Sequence, residues 1–126
     1  MIVLDANILI SYWGRGDVHT AEAYEILDTE DELLIHPVTL AETLVAPVRE
    51  AREVEALSAY TRLGVERHVP ADDEPVRVAR LRAETGLKLP DAYVLAVAIQ
   101  HEAALATFDR RLADAAHARG VGVVGA

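Results

Sequence analysis

A chain of 126 residues can remove about two thirds of its unfolded surface from water, so one domain with its own core, spanning 1–126, is expected. The 52% hydrophobic content, mostly Ala, Leu and Val, together with the lack of cysteine, excludes a disordered chain and a disulfide-built scaffold. A formal net charge of -9, from 21 acids against 12 bases, excludes wide sequence-independent wrapping of nucleic acid, although a local phosphate site stays compatible with it.

In chain order, Ile2-Val3-Leu4 in the opening run is short, apolar and partly β-branched, which predicts a buried strand over 1–4 ending at Asp5. A loop with Gly14 and Gly16 precedes a helix from Thr20 to Leu27, and Leu33 to His36 reads as a strand stopped by Pro37. Thr39, as an N-cap with Glu42 three residues on, predicts a helix that ends at Pro47, and a longer helix follows from about Arg49 to Leu63. After Gly64 comes a strand over 65–69. Asp72, Asp73 and Pro75 then start a helix that closes at Gly86. From Ala92 to Ile99 every residue is apolar, so this helix should be buried nearly all round, with Asp91 at its N-terminal end. A strand over 104–108, a helix over 109–118 and a strand over 121–124 complete the alternation. It implies an α/β fold: a three-layer α/β/α sandwich around a central, mostly parallel sheet.

Four acids, Asp5, Glu42, Asp91 and Asp109, each stand where an apolar segment starts or stops. Taken singly, most have a structural explanation. Asp91 and Asp109 can cap helices, and Glu42 can close a capping box with Thr39. Asp5 is harder to explain, since it follows a buried strand and precedes the apolar run Ile8-Leu9-Ile10. Together the four can converge at the C-terminal edge of one parallel sheet, where α/β proteins bind ligands. Two carboxylates about 4 Å apart repel by roughly 4 kcal/mol at an effective dielectric near 20, so such a cluster asks for a cation. With no Cys, and no His at ligand spacing, its hard oxygens select Mg²⁺ or Mn²⁺, and phosphodiester hydrolysis is the reaction such a site supports best.

The segments Ile2-Val3-Leu4-Asp5-Ala6-Asn7-Ile8-Leu9, Val38-Thr39-Leu40-Ala41-Glu42, Leu89-Pro90-Asp91-Ala92-Tyr93-Val94-Leu95-Ala96 and Ala106-Thr107-Phe108-Asp109-Arg110-Arg111-Leu112 resemble the PIN domain, particularly the VapC-type toxins of toxin-antitoxin pairs. The resemblance covers essentially the whole chain. It implies a metal-dependent endoribonuclease in which Asp5, Glu42, Asp91 and Asp109 surround Mg²⁺ or Mn²⁺, with Asn7 and Thr107 as polar neighbours. Asp5 and Asp91 would be the firmest ligands, Glu42 would orient the attacking water, and Asp109 would complete the site. An RNA substrate, a cognate antitoxin and a homodimer follow from the same resemblance. A PIN-domain RNA-processing nuclease without antitoxin, or a catalytically silent binding module, are the alternatives. Arg80, Arg82, Arg110, Arg111 and Lys88, the only lysine, are candidates for phosphate contacts.

Other signals carry less. Gly120 to Gly125 matches a three-glycine dinucleotide pattern but lacks the helix that must follow. Arg15-Gly16-Asp17 reads as a loop, Asp114 as a solvated helix residue, and the five histidines, which share no ligand spacing, as surface or packing residues. Tyr12 and Trp13 suit core or partner contact better than base stacking. A receiver-like module would need adjacent early acids and a later lysine, and an aspartyl phosphatase would need Asp where Asn7 stands. With neither signal-peptide flanks nor an apolar run of eighteen residues, a cytoplasmic protein outside the membrane is expected.

Overall fold

The computed structural model describes residues 1–14 and 17–126. Five short strands, β1 (Ile2–Leu4), β2 (Leu33–Ile35), β3 (Val65–Arg67), β4 (Ala104–Ala106) and β5 (Val123–Val124), form one sheet in the order β3-β2-β1-β4-β5. Every pairing is parallel, so the sheet is wholly rather than mostly parallel. The helices are α1 (Ala6–Trp13), α2 (Thr20–Leu27), α3 (Pro37–Arg49), α4 (Glu53–Arg62), α5 (Glu74–Thr85), α6 (Leu89–His101) and α7 (Arg110–Ala118). They cover both faces, as a parallel sheet requires. One core gathers Leu4, Ile8, Leu9, Ile26, Leu27 and Ile35 under α1, α2 and α4; the other gathers Val3, Leu95, Val97, Leu105 and Leu112 under α6 and α7. The alternation of Val3 and Leu4 between these clusters is the two-residue period of a strand.

Helix α2 runs from Thr20 to Leu27, as the periodicity predicts. Expectations for three other helices are corrected. The apolar run after Asp5 is helix α1, which follows β1 with no intervening loop, because the Asp5 carboxylate accepts from the Ala6 N–H and caps it. Helix α3 begins at Pro37 rather than near Thr39. Its N-cap is His36, whose ring nitrogen accepts from the Val38 N–H, while the Thr39 hydroxyl has no hydrogen-bond partner and makes no capping box with Glu42. Pro47 lies inside α3 instead of ending it, one turn from a terminus where little helix remains to be disrupted. Helix α4 starts at Glu53, later than the expected Arg49. The 15–17 tripeptide falls in part outside the described residues. Among the described residues no helix is long and apolar enough to cross a membrane.

Candidate active site

The sheet order places β1 between β2 and β4, the point where strand order reverses and a crevice opens beyond the carboxyl ends of the strands. Asp5 leaves β1 there, 6% exposed. Its Oδ1 accepts from the Ala6 N–H at 2.8 Å, and its Oδ2 accepts from the Thr107 hydroxyl at 2.7 Å. Thr107 directly follows β4, fully buried, and its hydroxyl also accepts from the Asp109 N–H at 3.0 Å. Asn7 Oδ1 accepts from the Phe108 N–H at 3.3 Å, so the loop after β4 is tied to the first turn of α1. The two polar neighbours expected from the sequence are therefore the residues that hold Asp5 and Asp109 in place.

Glu42 projects from the second turn of α3 and is exposed, whereas Asp91, half-buried, lies in the first turn of α6. The cap of α6 is Lys88, without a side-chain bond, so capping does not account for Asp91. Asp109 does cap its helix: Oδ1 accepts from the N–H groups of Arg111 at 2.9 Å and Leu112 at 3.4 Å.

Electrostatics ties the acids together. Burial raises the pKa of Asp5, the hydrogen bonds from Thr107 and Ala6 oppose it, and the charge of Asp109 adds to the rise. Glu42 is raised by partial desolvation and then by Asp5 and Asp91. Asp91 is pushed up to about 6 by burial, then by Asp5 and Asp109, against the pull of Lys88 and Arg111. Carboxylates that disfavour one another's ionised forms are short of positive charge, and their all-oxygen donor set suits a hard divalent cation. The quartet is nonetheless open: among the described residues, the His, Asp and Glu ligand atoms that gather in threes within 4.8 Å belong to His36, His68 and Glu74, not to the four acids.

Of the five cations proposed for phosphate, Lys88 and Arg111 act on Asp91. Arg111 also donates to the Gly86 carbonyl at 3.0 Å, which steadies it beside the site. Arg80 lines a shallow surface depression with Arg77 and Ile99 on α5 and α6, away from the acids. Tyr12 and Trp13 pack at the edge of the core, Tyr12 against Tyr24 at 4.9 Å and Trp13 beneath the Arg52 guanidinium at 4.8 Å. They border a groove between α1, α2 and α4 that none of the four acids lines.

The polar cluster missed by spacing alone is His36, His68 and Glu74, all buried, with His101 at its rim. It corrects the reading of His36 and His68 as unrelated surface or packing residues. A signal existed, since both directly follow short strands, but it becomes legible only once β2 and β3 are known to be parallel neighbours with Ile35 opposite Arg67.

The chain matches the PIN domain model over residues 2–118 and belongs to that family. Among solved structures it is similar to a toxin-antitoxin complex from Klebsiella pneumoniae, at 28% identity over 86% of this chain and 87% of that one, with a TM-score of 0.73. It shares its fold with VapC20 of Mycobacterium tuberculosis, a sarcin-ricin loop cleaving toxin, at 22% identity, covering 100% and 98% of the two chains, with a TM-score of 0.74. The same holds for VapBC2 of Rickettsia felis bound to a promoter DNA fragment, at 16% identity, 98% coverage of each chain and a TM-score of 0.75. No curated protein matches the chain.

Proposed function

We propose that this chain is a Mg²⁺- or Mn²⁺-dependent endoribonuclease, the toxin of a VapBC-type pair, held in check in the cytoplasm by a cognate antitoxin. The observation that carries the reading is the buried Asp5 carboxylate at the switch point of the sheet, electrostatically coupled to Glu42, Asp91 and Asp109. Family membership and the likeness to a toxin-antitoxin complex at 28% identity support it. Homodimer formation is part of the same reading.

In this reading Asp5 and Asp91 hold the ion, Glu42 orients water at the exposed rim, and Asp109 completes the site. A divalent ion bound there would acidify water and offset charge on the scissile phosphate. Thr107 keeps Asp5 turned toward the site by donating to one oxygen, a hydrogen bond that opposes the rise burial gives that carboxyl's pKa. Lys88 and Arg111, whose charges act on Asp91, would meet phosphate oxygens that the acids alone would repel.

The test is cleavage of structured RNA by purified protein with and without Mn²⁺, in wild type, Asp5→Asn and Asp91→Asn. Cleavage that needs the ion and falls by at least about tenfold in each variant is expected. Ion-independent cleavage, or unchanged rates in both variants, would overturn the assignment. No cleavage by a folded wild-type protein that binds Mn²⁺ would leave a binding module in place of a nuclease.

A further inference from the structure

We infer that His36, His68 and Glu74 form a separate, buried binding site for a zinc-class divalent ion, one that staples the β2–β3 edge of the sheet to the start of α5. The site does not depend on the nuclease reading. It begins with strand register: Ile35 pairs with Arg67, so the next residues, His36 and His68, leave neighbouring parallel strands side by side. The His68 N–H donates to the Ile35 carbonyl at 2.8 Å and extends the ladder to that point. Glu74, the first residue of α5, sets one carboxylate between the two rings. Its Oε1 lies 2.5 Å from His36 Nε2 and its Oε2 lies 2.8 Å from His68 Nε2. The side chains of His36, His68 and Glu74 are 3%, 1% and 4% exposed, and their ligand atoms lie within 4.8 Å of one another.

Charge points to a cation at this place. The Glu74 carboxylate is buried, and each of its oxygens is hydrogen-bonded by one of the two rings. Its hydrogen-bond partners are these two imidazoles, and no Lys or Arg among the described residues reaches it. His36 Nδ1 accepts from the Val38 N–H at 3.0 Å, which assigns the ring proton to Nε2 and leaves that ring neutral. A carboxylate buried among these rings is balanced either by a proton shared within the cluster or by a metal ion. Two imidazoles and one carboxylate are the donors of zinc sites, and nitrogen donors separate this site from the all-oxygen quartet.

Metal entry balances as follows. The His68 Nε2 proton moves to Nδ1, or goes to solvent where Nδ1 already carries one, and the ring donates from Nδ1 to His101 Nε2, 3.0 Å away. That is the outer hydrogen bond a ligating imidazole ordinarily makes. His36 moves its proton from Nε2 to Nδ1, where it would oppose the Val38 N–H, so the ring must also turn from that group and the cap is lost, a cost small beside the binding free energy of a structural zinc ion. The nitrogen and oxygen atoms must part to roughly 3.2 Å to admit the ion. With the ligands this deeply buried, loading is expected to accompany folding.

The experiment unfolds the full chain in denaturant with chelator, refolds it with Zn²⁺, removes excess ion and measures retained zinc. In parallel, nitrogen NMR of the imidazoles reads the wild type with and without Zn²⁺. Equimolar zinc retained by wild type and by Asp91→Asn, at least roughly tenfold weaker retention in His68→Gln and Glu74→Gln, and a His36 proton that moves from Nε2 to Nδ1 are expected. The NMR arm needs no variant, so a failure of either substitution to fold leaves the outcome decidable. Unchanged imidazole signals in wild type refolded with zinc would overturn the site and leave a proton-sharing cluster. Retention lost in Asp91→Asn but kept in His68→Gln would overturn it too, by placing the ion among the acids.

Discussion

Asp91 is the residue whose titration most directly reports the acidic site. Its pKa stands at about 6, against an ordinary value of 3.8, because burial and then the charges of Asp5 and Asp109 disfavour the ionised form. A raised carboxyl pKa favours the protonated fold, so its contribution to stability is present below pH 3.8 and is lost as pH rises through about 6. After discounting for solvent screening, the loss is on the order of 1–2 kcal/mol. In the presence of chelator, Asp91→Asn is therefore expected to gain on wild type as pH rises from 4 to 7.5, as read by denaturant melts at each pH. A difference that does not change with pH would remove the electrostatic account. Asp109 needs a different separation, since it serves both as a helix cap and as a member of the quartet. Asp109→Ser keeps a capping oxygen and should stay within about 0.5 kcal/mol of wild type, whereas Asp109→Ala should lose about 1 kcal/mol. If Asp109 also serves the ion, both variants lose Mn²⁺-dependent cleavage by roughly tenfold or more. Wild-type rates in the Ser variant would make Asp109 a cap only.

Among the elements, α6 holds the site most firmly, because Ala92 and Val94 to Ala98 are buried and fix where Asp91 stands. Leu95→Ala, at a fully buried position, is expected to cost about 2–5 kcal/mol in chemical denaturation. A smaller loss would mean that the layer collapses around the cavity. Elements of this kind were legible in the chain, since an unbroken apolar run flanked by Pro90 and by polar residues has few other readings. The four acids stood out for the same reason, at the ends of such runs, and the fold brings them near enough to act on one another's charge. Helix α1 was not legible, because Ile8-Leu9-Ile10 is as consistent with a buried strand as with a buried helix, and the cap that decides between them is also the candidate metal ligand Asp5. The start of α3 was hidden because histidine is not a usual cap and Thr39 is. The His36-His68 pair needed strand order and register, which come from tertiary packing and not from any local pattern.

For the whole molecule, the net charge of -9 and the acidic site predict opposite salt specificities, and that contrast gives the last test. Diffuse self-repulsion is relieved by any electrolyte, so sodium chloride should stabilise the fold modestly and without regard to which single acid is removed. A bound ion stabilises by mass action, about 2.7 kcal/mol at a free concentration of 100 times Kd, and only while its ligands are present. For a domain of this size, that is a rise in Tm of roughly 10 °C. Melting wild type and the double variant Asp5→Asn/Asp91→Asn in Mn²⁺, and in sodium chloride of equal ionic strength, separates the two effects. Wild type should gain clearly more from Mn²⁺ than from sodium, and the double variant should respond to both alike. Because both variant positions remove a negative charge, the double variant should also start from a higher Tm in chelator, so the ion's effect is read as the increment from each protein's own baseline. Equal increments from Mn²⁺ in the two proteins would mean that the ion merely screens a crowded acidic surface, and the carboxylates at the sheet's edge would then need another explanation.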